Sequence, residues 1–354
     1  MLYNAVSTLG LSKRLQTANT ELQLERLRNN DEIASGKHFD VAKALGARTG
    51  QAIALRNLYD ETEQTLKSTA LLQGRLGTMD SALTNILSAG QDVLAAASVG
   101  LGQPSPTGSS LQVRARAMLE QVVGMLNASS GNGYLFGGVE VKAAPMRAVQ
   151  GDESGLPSPI QIVQDTIAAA TGGTASPQTP AETAAAVAAL DDLFATPSAA
   201  PLGFEGGFYQ GAPSTAPRLS ARLDRTTEIP YGIQGNDPAM RDLLQGLYML
   251  ASIDTSQLPL DAYKPYMEAA VAKVSGGIEG VRDATAQLGI HRAQLDDIAA
   301  MNTTQLRVLN DQLDAMESVD PAEASLRMNQ LEVQIEATAA ATARIARMSL
   351  ANYL

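Results

Sequence analysis

A long heptad repeat in the C-terminal third of the chain limits what this sequence can fold into. Steps of three and four residues from Val271 to Met316 meet an apolar residue or Ala at eleven of fourteen positions. A 3.5-residue period sustained over this length is typical of a left-handed coiled-coil seam. At about 1.5 Å per residue such a helix is roughly 70 Å long, longer than a compact domain is wide. The repeat therefore predicts an elongated rod.

Three positions of this repeat are polar, namely Thr285, Arg292 and Asn302. Arg292 and Asn302 either set the register and the number of partner helices, or mark places where the seam opens to water. The sequence favours neither interpretation.

The same spacing recurs near the N-terminus. One heptad phase runs from Leu55 to Ala97 and resumes from Leu111 to Met125, after the break PSPTGSS. A shorter apolar stripe precedes it and ends near Ser35 and Gly36, where Gly fits a helix stop; this stripe contains Leu11, Leu15, Ala18 and Leu22. Both ends of the chain are therefore predicted to be helical and to pack against each other.

A separate helix is predicted at the C-terminus, from about 321 to 352. Asp320 fits the N-cap, Pro321 the first helical position, and Glu323 the third residue of a capping box. The apolar positions that follow do not continue the preceding heptad phase, so the break at VDPAEAS separates two helices.

The middle of the chain, from about 139 to 227, is rich in Pro and Gly clusters. It contains strand-like alternation at 159–163 and 218–223 and one Ala-rich helical stretch at 180–194. We predict a small α+β insert of short strands. Residues 236–238 then supply a cap and a Pro for a further amphipathic helix, DPAMRDLLQGLYMLAS.

These patterns predict a mainly α protein with long terminal helices, a helical bundle and a central α+β insert. We expect five segments: an N-terminal assembly helix and turn (1–46), the first half of the bundle (47–138), the insert (139–235), the second half of the bundle (236–320) and a C-terminal assembly helix (321–354). Because aromatic residues make up only 4% of the chain, its apolar content favours thin helix-on-helix seams.

Composition argues against several classes of function. The 26 Lys and Arg residues stand against 37 Asp and Glu, a formal net charge of -11, which would repel a nucleic-acid backbone. Cys is absent, so no disulfide or thiolate site can form. The sequence shows neither a signal peptide nor a run of about 18 apolar residues. Taken alone this indicates a cytoplasmic protein, although export by another route would leave the same pattern.

No motif for catalysis is evident. The Gly-rich stretch at 203–211 lacks the Lys and Ser or Thr of a phosphate-binding loop, and a loop or hairpin between strands fits it better. The two histidines, His38 and His291, lack acidic neighbours at metal-site spacing. We therefore expect a protein that is not an enzyme and that has no cofactor or metal.

The last residues of the chain are apolar at helical spacing, in the stretch ATARIARMSLANYL. Isolated helices of this kind gain little stability without packing. Either neighbouring subunits bury this apolar face, or it docks on the chain's own bundle. Composition leaves both interpretations open.

Four stretches together resemble one family, the hook-filament junction proteins of bacterial flagella (hook-associated protein 3), which are similar to flagellins. They are IASGKHFDVAKALGA, SGNGYLFGGVEV, FYQG followed by NDPAMRDLLQGLYMLA, and the end VDPAEASLRMNQLEVQIEATAAATARIARMSLANYL. The resemblance implies a coiled coil of the two chain ends, continued by a multi-helix bundle with a β-hairpin and a variable insert.

The resemblance also implies assembly partners and a route of export. It implies a ring of subunits between hook-associated protein 1, on the hook side, and flagellin, on the filament side. Export through the flagellar type III apparatus and a cytosolic chaperone are expected, which makes the protein extracellular, without contact to nucleic acid or membrane. The terminal helices would carry the assembly interface, which we predict to include Leu11, Leu15, Leu22, Ile335, Ile345, Met348, Leu350, Tyr353 and Leu354.

Two alternatives remain at this point. A flagellin would polymerise along the whole filament, although the SGKHFDVAKALG turn, the NDPAMRDLL helix and the Tyr353-Leu354 ending favour a junction protein. A cytoplasmic coiled-coil adaptor would resist proteolysis at both ends, whereas an assembly subunit would lose them quickly.

Overall fold

The computed structural model describes residues 8–102, 104, 108–131, 133–153, 155–222 and 228–351. Its helices are α1 (Thr8–Ser35), α2 (Val41–Leu45), α3 (Thr49–Val99), α4 (Gly108–Leu126), α5 (Pro159–Ala170), α6 (Pro180–Leu193), α7 (Phe204–Gly207), α8 (Pro238–Ser252), α9 (Leu260–Glu317) and α10 (Pro321–Ala351). Two antiparallel hairpins pair β1 (Ser129–Ser130) with β2 (Gly133–Tyr134) and β3 (Ser220–Arg222) with β4 (Glu228–Pro230). The chain is mainly α, with long terminal helices and a central insert, as predicted.

Local chemistry explains where several helices begin and end. Gly36 ends α1 in a left-handed conformation, with φ of 71°, which only Gly adopts without cost. The Asp320 carboxylate accepts a hydrogen bond from the Ala322 N–H, 2.8 Å away, and Pro321 opens α10. At the start of α8, in contrast, the Asp237 side chain makes no cap and accepts instead from the Gln234 N–H.

The chain divides into two compact units. Met1–Gln64 and Met301–Leu354 form the first, which we call the terminal unit. Thr65–Ala300 forms the second, the central unit. In the terminal unit α1 packs against α10, so the predicted pairing of the two chain ends is confirmed.

The heptad positions point inward as predicted. All fourteen positions from Val271 to Met316 are buried or half-buried. The series that starts at Val274 and repeats every seven residues is buried at all but its last position; its buried members are Val274, Val281, Leu288, Leu295, Asn302 and Leu309. Arg292 reaches out of the seam and pairs with Asp80 of α3, with 2.5 Å between Nη1 and Oδ2. The Arg292 and Asp80 side chains are 43% and 31% exposed, so the ion pair does not decide between the two interpretations of Arg292.

The central unit contains the hydrophobic core of the protein. The core cluster runs from Leu72 to Leu295, and within it α8 packs on α4 and α5, and α5 on α6. Gly277 allows α9 to approach α8 closely, because a Cβ at this position would lie 2.4 Å from the Leu243 nitrogen. Four aromatic side chains fill the insert side of this core: Phe194, Phe204, Phe208 and Tyr248.

Part of the predicted strand content is wrong. Residues 159–163 open the helix α5, and the side chain of Ser158 accepts a hydrogen bond from the Gln161 N–H as its cap. The Ala-rich helix is confirmed as α6, and β3 lies within the predicted 218–223 segment. The Gly-rich stretch at 203–211 forms the kinked turn α7 followed by a bridge from Tyr209 to Met146, so of the two predicted forms, a loop and a hairpin between strands, the hairpin is wrong.

Candidate assembly surface

Apolar burial is uneven between the two units. The hydrophobic core cluster lies wholly in the central unit. In the terminal unit, the buried apolar side chains among the described residues are Leu45, Ala52, Leu309, Leu313, Ala324 and Leu331. Yet this unit, about a third of the chain, carries eleven of the eighteen large apolar side chains that are exposed in the described part.

The terminal helices α1 and α10 each bury one face against the other. On α1 half-buried positions recur at Leu15, Ala18 and Leu22, three or four residues apart, and the buried Asn29 follows seven residues later on the same face. On α10 the same spacing gives Ala324, Met328, Leu331, Ile335, Thr338, Thr342 and Ile345. A recurrence of this kind places these residues on single faces. Because α1 packs against α10, these faces form the seam of the pair.

Four of the nine predicted interface residues therefore lie on this seam: Leu15, Leu22, Ile335 and Ile345. Leu11 continues the same stripe but is 39% exposed. Met348 and Leu350 lie in α10, where the structure does not describe their side chains. Tyr353 and Leu354 lie outside the described residues.

Two further pairs of exposed apolar side chains, which the sequence analysis did not identify, lie outside the seam, one pair on each helix. Leu24 and Leu27 on α1 are 49% and 55% exposed, and Leu326 and Val333 on α10 are 59% and 66% exposed. We call these four side chains the outer apolar set. Spacings of three residues on α1 and seven on α10 keep each pair on one side of its helix, and this spacing is the signal that could have revealed them.

Two connections of the terminal unit meet beside the helix pair. The link after α1 and the link between α9 and α10 run antiparallel, and Lys37 and Ser318 form an isolated β-bridge. The His38 N–H donates to the Glu317 carbonyl oxygen, and the Val319 N–H donates to the Gly36 carbonyl oxygen, both at 2.9 Å. We call this arrangement the link contact.

A cluster of ion pairs supports the link contact. The Glu317 side chain is 2% exposed, and its Oε1 lies 2.6 Å from Nη2 of Arg56 on α3. Its Oε2 lies 3.3 Å from Nζ of Lys37, which also pairs with Asp314 at 3.1 Å. The hydrogen bond to Asp314, together with that to Glu317, raises the pKa of Lys37 above its ordinary value and outweighs the opposing effect of partial burial.

A second carboxylate, that of Glu32, contacts the link that follows α1. Glu32 Oε1 accepts a hydrogen bond from the Phe39 N–H at 2.9 Å and lies 3.8 Å from Nδ1 of His38. Glu32 Oε2 lies 3.8 Å from Nη1 of Arg327 on α10. The exposed Phe39 ring lies under the Arg28 guanidinium, 5.6 Å from its carbon to the ring centroid. Contacts of this type position the link without an apolar core.

The described residues contain no group of three or more His, Asp or Glu side chains placed to hold a metal ion. Among them, no helix combines the length and hydropathy needed to span a bilayer. The exposed apolar side chains make the surface of the terminal unit the candidate site.

Comparison with known proteins finds matches for two regions of the chain, one at each end. The family model of the bacterial flagellin N-terminal helical region matches residues 6–140. The model of the bacterial flagellin C-terminal helical region matches residues 271–354. Together the two matches span more than half of the chain. The chain belongs to the flagellin-like family.

The two flagellin-like regions contain all of α1, α2, α3, α4 and α10 and most of α9. They imply a structural component of the flagellum that is exported from the cell. A crystal structure of FlgL from Bacillus cereus is similar at 14% sequence identity, covering 73% of this chain and 98% of that chain, with a TM-score of 0.48. No curated protein matches the chain.

Proposed function

We propose that this flagellin-like chain is the structural subunit that joins the hook to the filament. The observation that carries the assembly role is the uncovered apolar surface of the terminal unit. A helix pair with one narrow seam and few buried apolar side chains is marginal alone. Burial of the outer apolar set against neighbouring subunits would add about 25 cal/mol per Å² of apolar surface.

The assignment to the junction rests on sequence features. The turn SGKHFDVAKALG, the α8 segment NDPAMRDLL and the ending Tyr353-Leu354 resemble hook-associated protein 3 more than flagellin. The alternative, a filament subunit, is favoured by one observation, namely that both matching family models describe flagellin.

The proposed assembly interface consists of the terminal segments 1–46 and 321–354. Its residues are Leu11, Leu15, Leu22, Ile335, Ile345, Met348, Leu350, Tyr353 and Leu354, to which we add the outer apolar set. The proposed partners are copies of this chain in a ring, hook-associated protein 1 on the hook side and flagellin on the filament side. A cytosolic export chaperone would cover the apolar ends before type III export.

Immunogold electron microscopy of intact flagella tests the location. Antibody against residues 155–222 of the insert would label the boundary between hook and filament if the proposal is correct. Label along the whole filament would identify a filament subunit. Label only inside the cell would reject both assembly roles in favour of a cytoplasmic coiled-coil adaptor.

Deletion of residues 344–354 tests the role of the terminal helix. We expect the central unit to keep its fold, because its core cluster lies between Leu72 and Leu295. Assembly should be lost, since α10 would be shortened at the predicted interface. Normal filaments grown by cells that carry only the deleted form would contradict the proposed interface, and unchanged hydrogen-exchange protection of α8 would verify that the central unit is intact.

A further inference from the structure

A polar cleft lies at the C-terminal end of α8, within the central unit. Its walls come from α5, from the loop that follows α5, and from the residues after α8. The cleft has a volume of about 490 Å³, which is typical of a site for a small organic molecule. Two carboxylates and three primary amides line it, and the described lining residues include neither Lys nor Arg; the five are Gln161, Gln164, Asp165, Asp254 and Gln257.

The three amides donate hydrogen bonds to the protein and keep their oxygen atoms free. Nε2 of Gln161 donates to Asp165 Oδ1 at 2.7 Å. Nε2 of Gln164 donates to the Ser252 carbonyl oxygen at 2.9 Å, and Nε2 of Gln257 donates to the hydroxyl oxygen of the preceding residue at 3.3 Å. Within the described chain, the three side-chain oxygens accept no hydrogen bond. Each can therefore accept from a ligand, since an amide oxygen carries two lone pairs.

The two carboxylates have no cationic partner among the described residues. Asp165 is exposed and accepts one hydrogen bond, at Oδ1. Asp254 accepts from the N–H and the hydroxyl of Ser256, both at Oδ1. Arg116 of α4 reaches this end of α8, but it donates to a backbone carbonyl oxygen at 2.8 Å and does not line the cleft. Because the last turn of α8 has no basic residue, the partial negative charge of the helix end adds to that of the carboxylates.

A buried hydroxyl in the lining of the cleft lacks a partner. Ser252, the last residue of α8, is 3% exposed. Its Oγ makes no hydrogen bond within the described part of the chain. Native proteins pair most buried polar groups with protein, water or ligand, because an unpaired one keeps its full desolvation cost. Ser252 carries no charge, so it indicates a polar occupant of the cleft independently of the two carboxylates.

We propose that this cleft binds a small organic cation with several amino groups, of the polyamine class. The two carboxylates pair with its ammonium groups, while the amide oxygens and the Ser252 hydroxyl accept the remaining N–H groups. A divalent metal ion suits the cleft less well, since it needs six or more oxygens at about 2.0–2.6 Å. The site does not depend on the proposed function, because none of its residues belongs to the proposed assembly interface.

Titration calorimetry of the full-length chain with spermidine tests the site. We expect saturable binding of one molecule per chain, weakened by salt because the carboxylates are accessible to solvent. Asp165→Asn together with Asp254→Asn should lower the affinity about tenfold, since each exposed charge contact contributes roughly two- to fivefold. Asn keeps the size of Asp and an oxygen that accepts hydrogen bonds, so the fold should be retained.

Two further variants separate this site from general attraction to an acidic chain. Asp296→Asn together with Asp297→Asn removes the same two charges from exposed positions of α9. These positions lie about 55 Å along the helix from its start beside the cleft, so the affinity should be unchanged. Ser252→Ala should weaken binding severalfold without lowering the melting temperature, because it removes a buried hydroxyl that has no partner.

The same ammonium chemistry is present in Lys side chains, so a tetralysine peptide is titrated beside spermidine. Tighter binding of spermidine would identify a free polyamine as the occupant, and tighter binding of the peptide a basic segment of a protein.

Three outcomes would overturn the site. One is the absence of saturation below about 10 mM spermidine, which is weaker than typical specific binding. Another is an equal loss of affinity in the two double variants, and the third is binding of Mg²⁺ as tight as that of spermidine. These measurements use the unassembled chain, so their failure is distinguishable from a failure of the junction proposal in immunogold microscopy.

Discussion

The side-chain amide of Asn29 donates a hydrogen bond to the carbonyl oxygen of Ala324, 2.9 Å away. This bond joins α1 to α10 across 295 positions of sequence. Asn29 is almost fully buried, and its Oδ1 has no partner among the described residues. A buried Asn in a helical seam restricts the register, because other alignments leave its amide unpaired.

Asn29→Ala should weaken the pairing of the terminal helices by about 1 kcal/mol, the typical net contribution of one such hydrogen bond. Faster hydrogen exchange along α1, without change in α8, would reveal this. The neighbouring Asn30 is exposed, so Asn30→Ala serves as the control. Equal exchange in the two variants would contradict a role of Asn29 in the seam.

Two adjacent glycines of α9 should respond to alanine in opposite directions. A Cβ on Gly277 would lie 2.4 Å from the Leu243 nitrogen, whereas nothing lies within 4 Å of a Cβ on Gly276. Gly277→Ala should therefore force α8 and α9 apart and destabilise the protein by about 2 kcal/mol. Gly276→Ala should stabilise it by up to about 1 kcal/mol, because Ala favours the helix. Thermal unfolding of both variants measures this difference.

Polar substitution of the outer apolar set should separate assembly from folding. Leu24→Ser together with Val333→Ser removes exposed apolar surface, so the helix content of the free subunit should change little. If the proposed function is correct, these variants should fail to enter flagella. Leu22 lies on the α1–α10 seam, so Leu22→Ser should instead lower the helix content of the free subunit. Circular dichroism measures this change. Normal incorporation of the double variant would show that the outer set is not an assembly surface.

The buried tyrosines should make the protein sensitive to alkali. Burial raises the pKa of Tyr248 and of Tyr266 above the ordinary value of 10.0, and the Tyr266 hydroxyl donates to the Met249 carbonyl oxygen. The folded state then keeps protons that the unfolded state releases above pH 10. Stability should therefore be unaffected below about pH 10 and fall as the pH rises further.

Absorbance at the wavelength of tyrosinate follows this process. Tyr248 and Tyr266 should ionise only as the central unit unfolds, so part of the signal should rise together with the loss of helix. Tyr266→Phe should reduce that late part of the signal. A single smooth titration near pH 10 with the helix content intact would contradict the burial of these hydroxyls.

Local patterns predicted most of the helical elements correctly. The break at PSPTGSS, the stop at Gly36 and the restart at Asp320 all lie where helices end or begin. The prediction failed at 159–163, because five alternating residues fit a strand as well as a helix and the Ser158-Pro159 start signal was not weighed. Leu15, Leu22, Ile335 and Ile345 lie on the α1–α10 seam, their predicted role in an assembly interface stays a prediction, and the outer apolar set was missed.

The helical segments, their inward faces and the flagellin-like character of both ends follow from the amino-acid sequence alone, because periodicity and helix-capping residues act over a few positions. The contacts of Asn29 with Ala324 and of Glu317 with Arg56 and Lys37 follow only from the fold, since these partners are hundreds of residues apart in the chain. The fold also decides which apolar side chains stay uncovered. A heptad marks one apolar face, whereas exposure depends on how many neighbouring elements the fold brings to each helix.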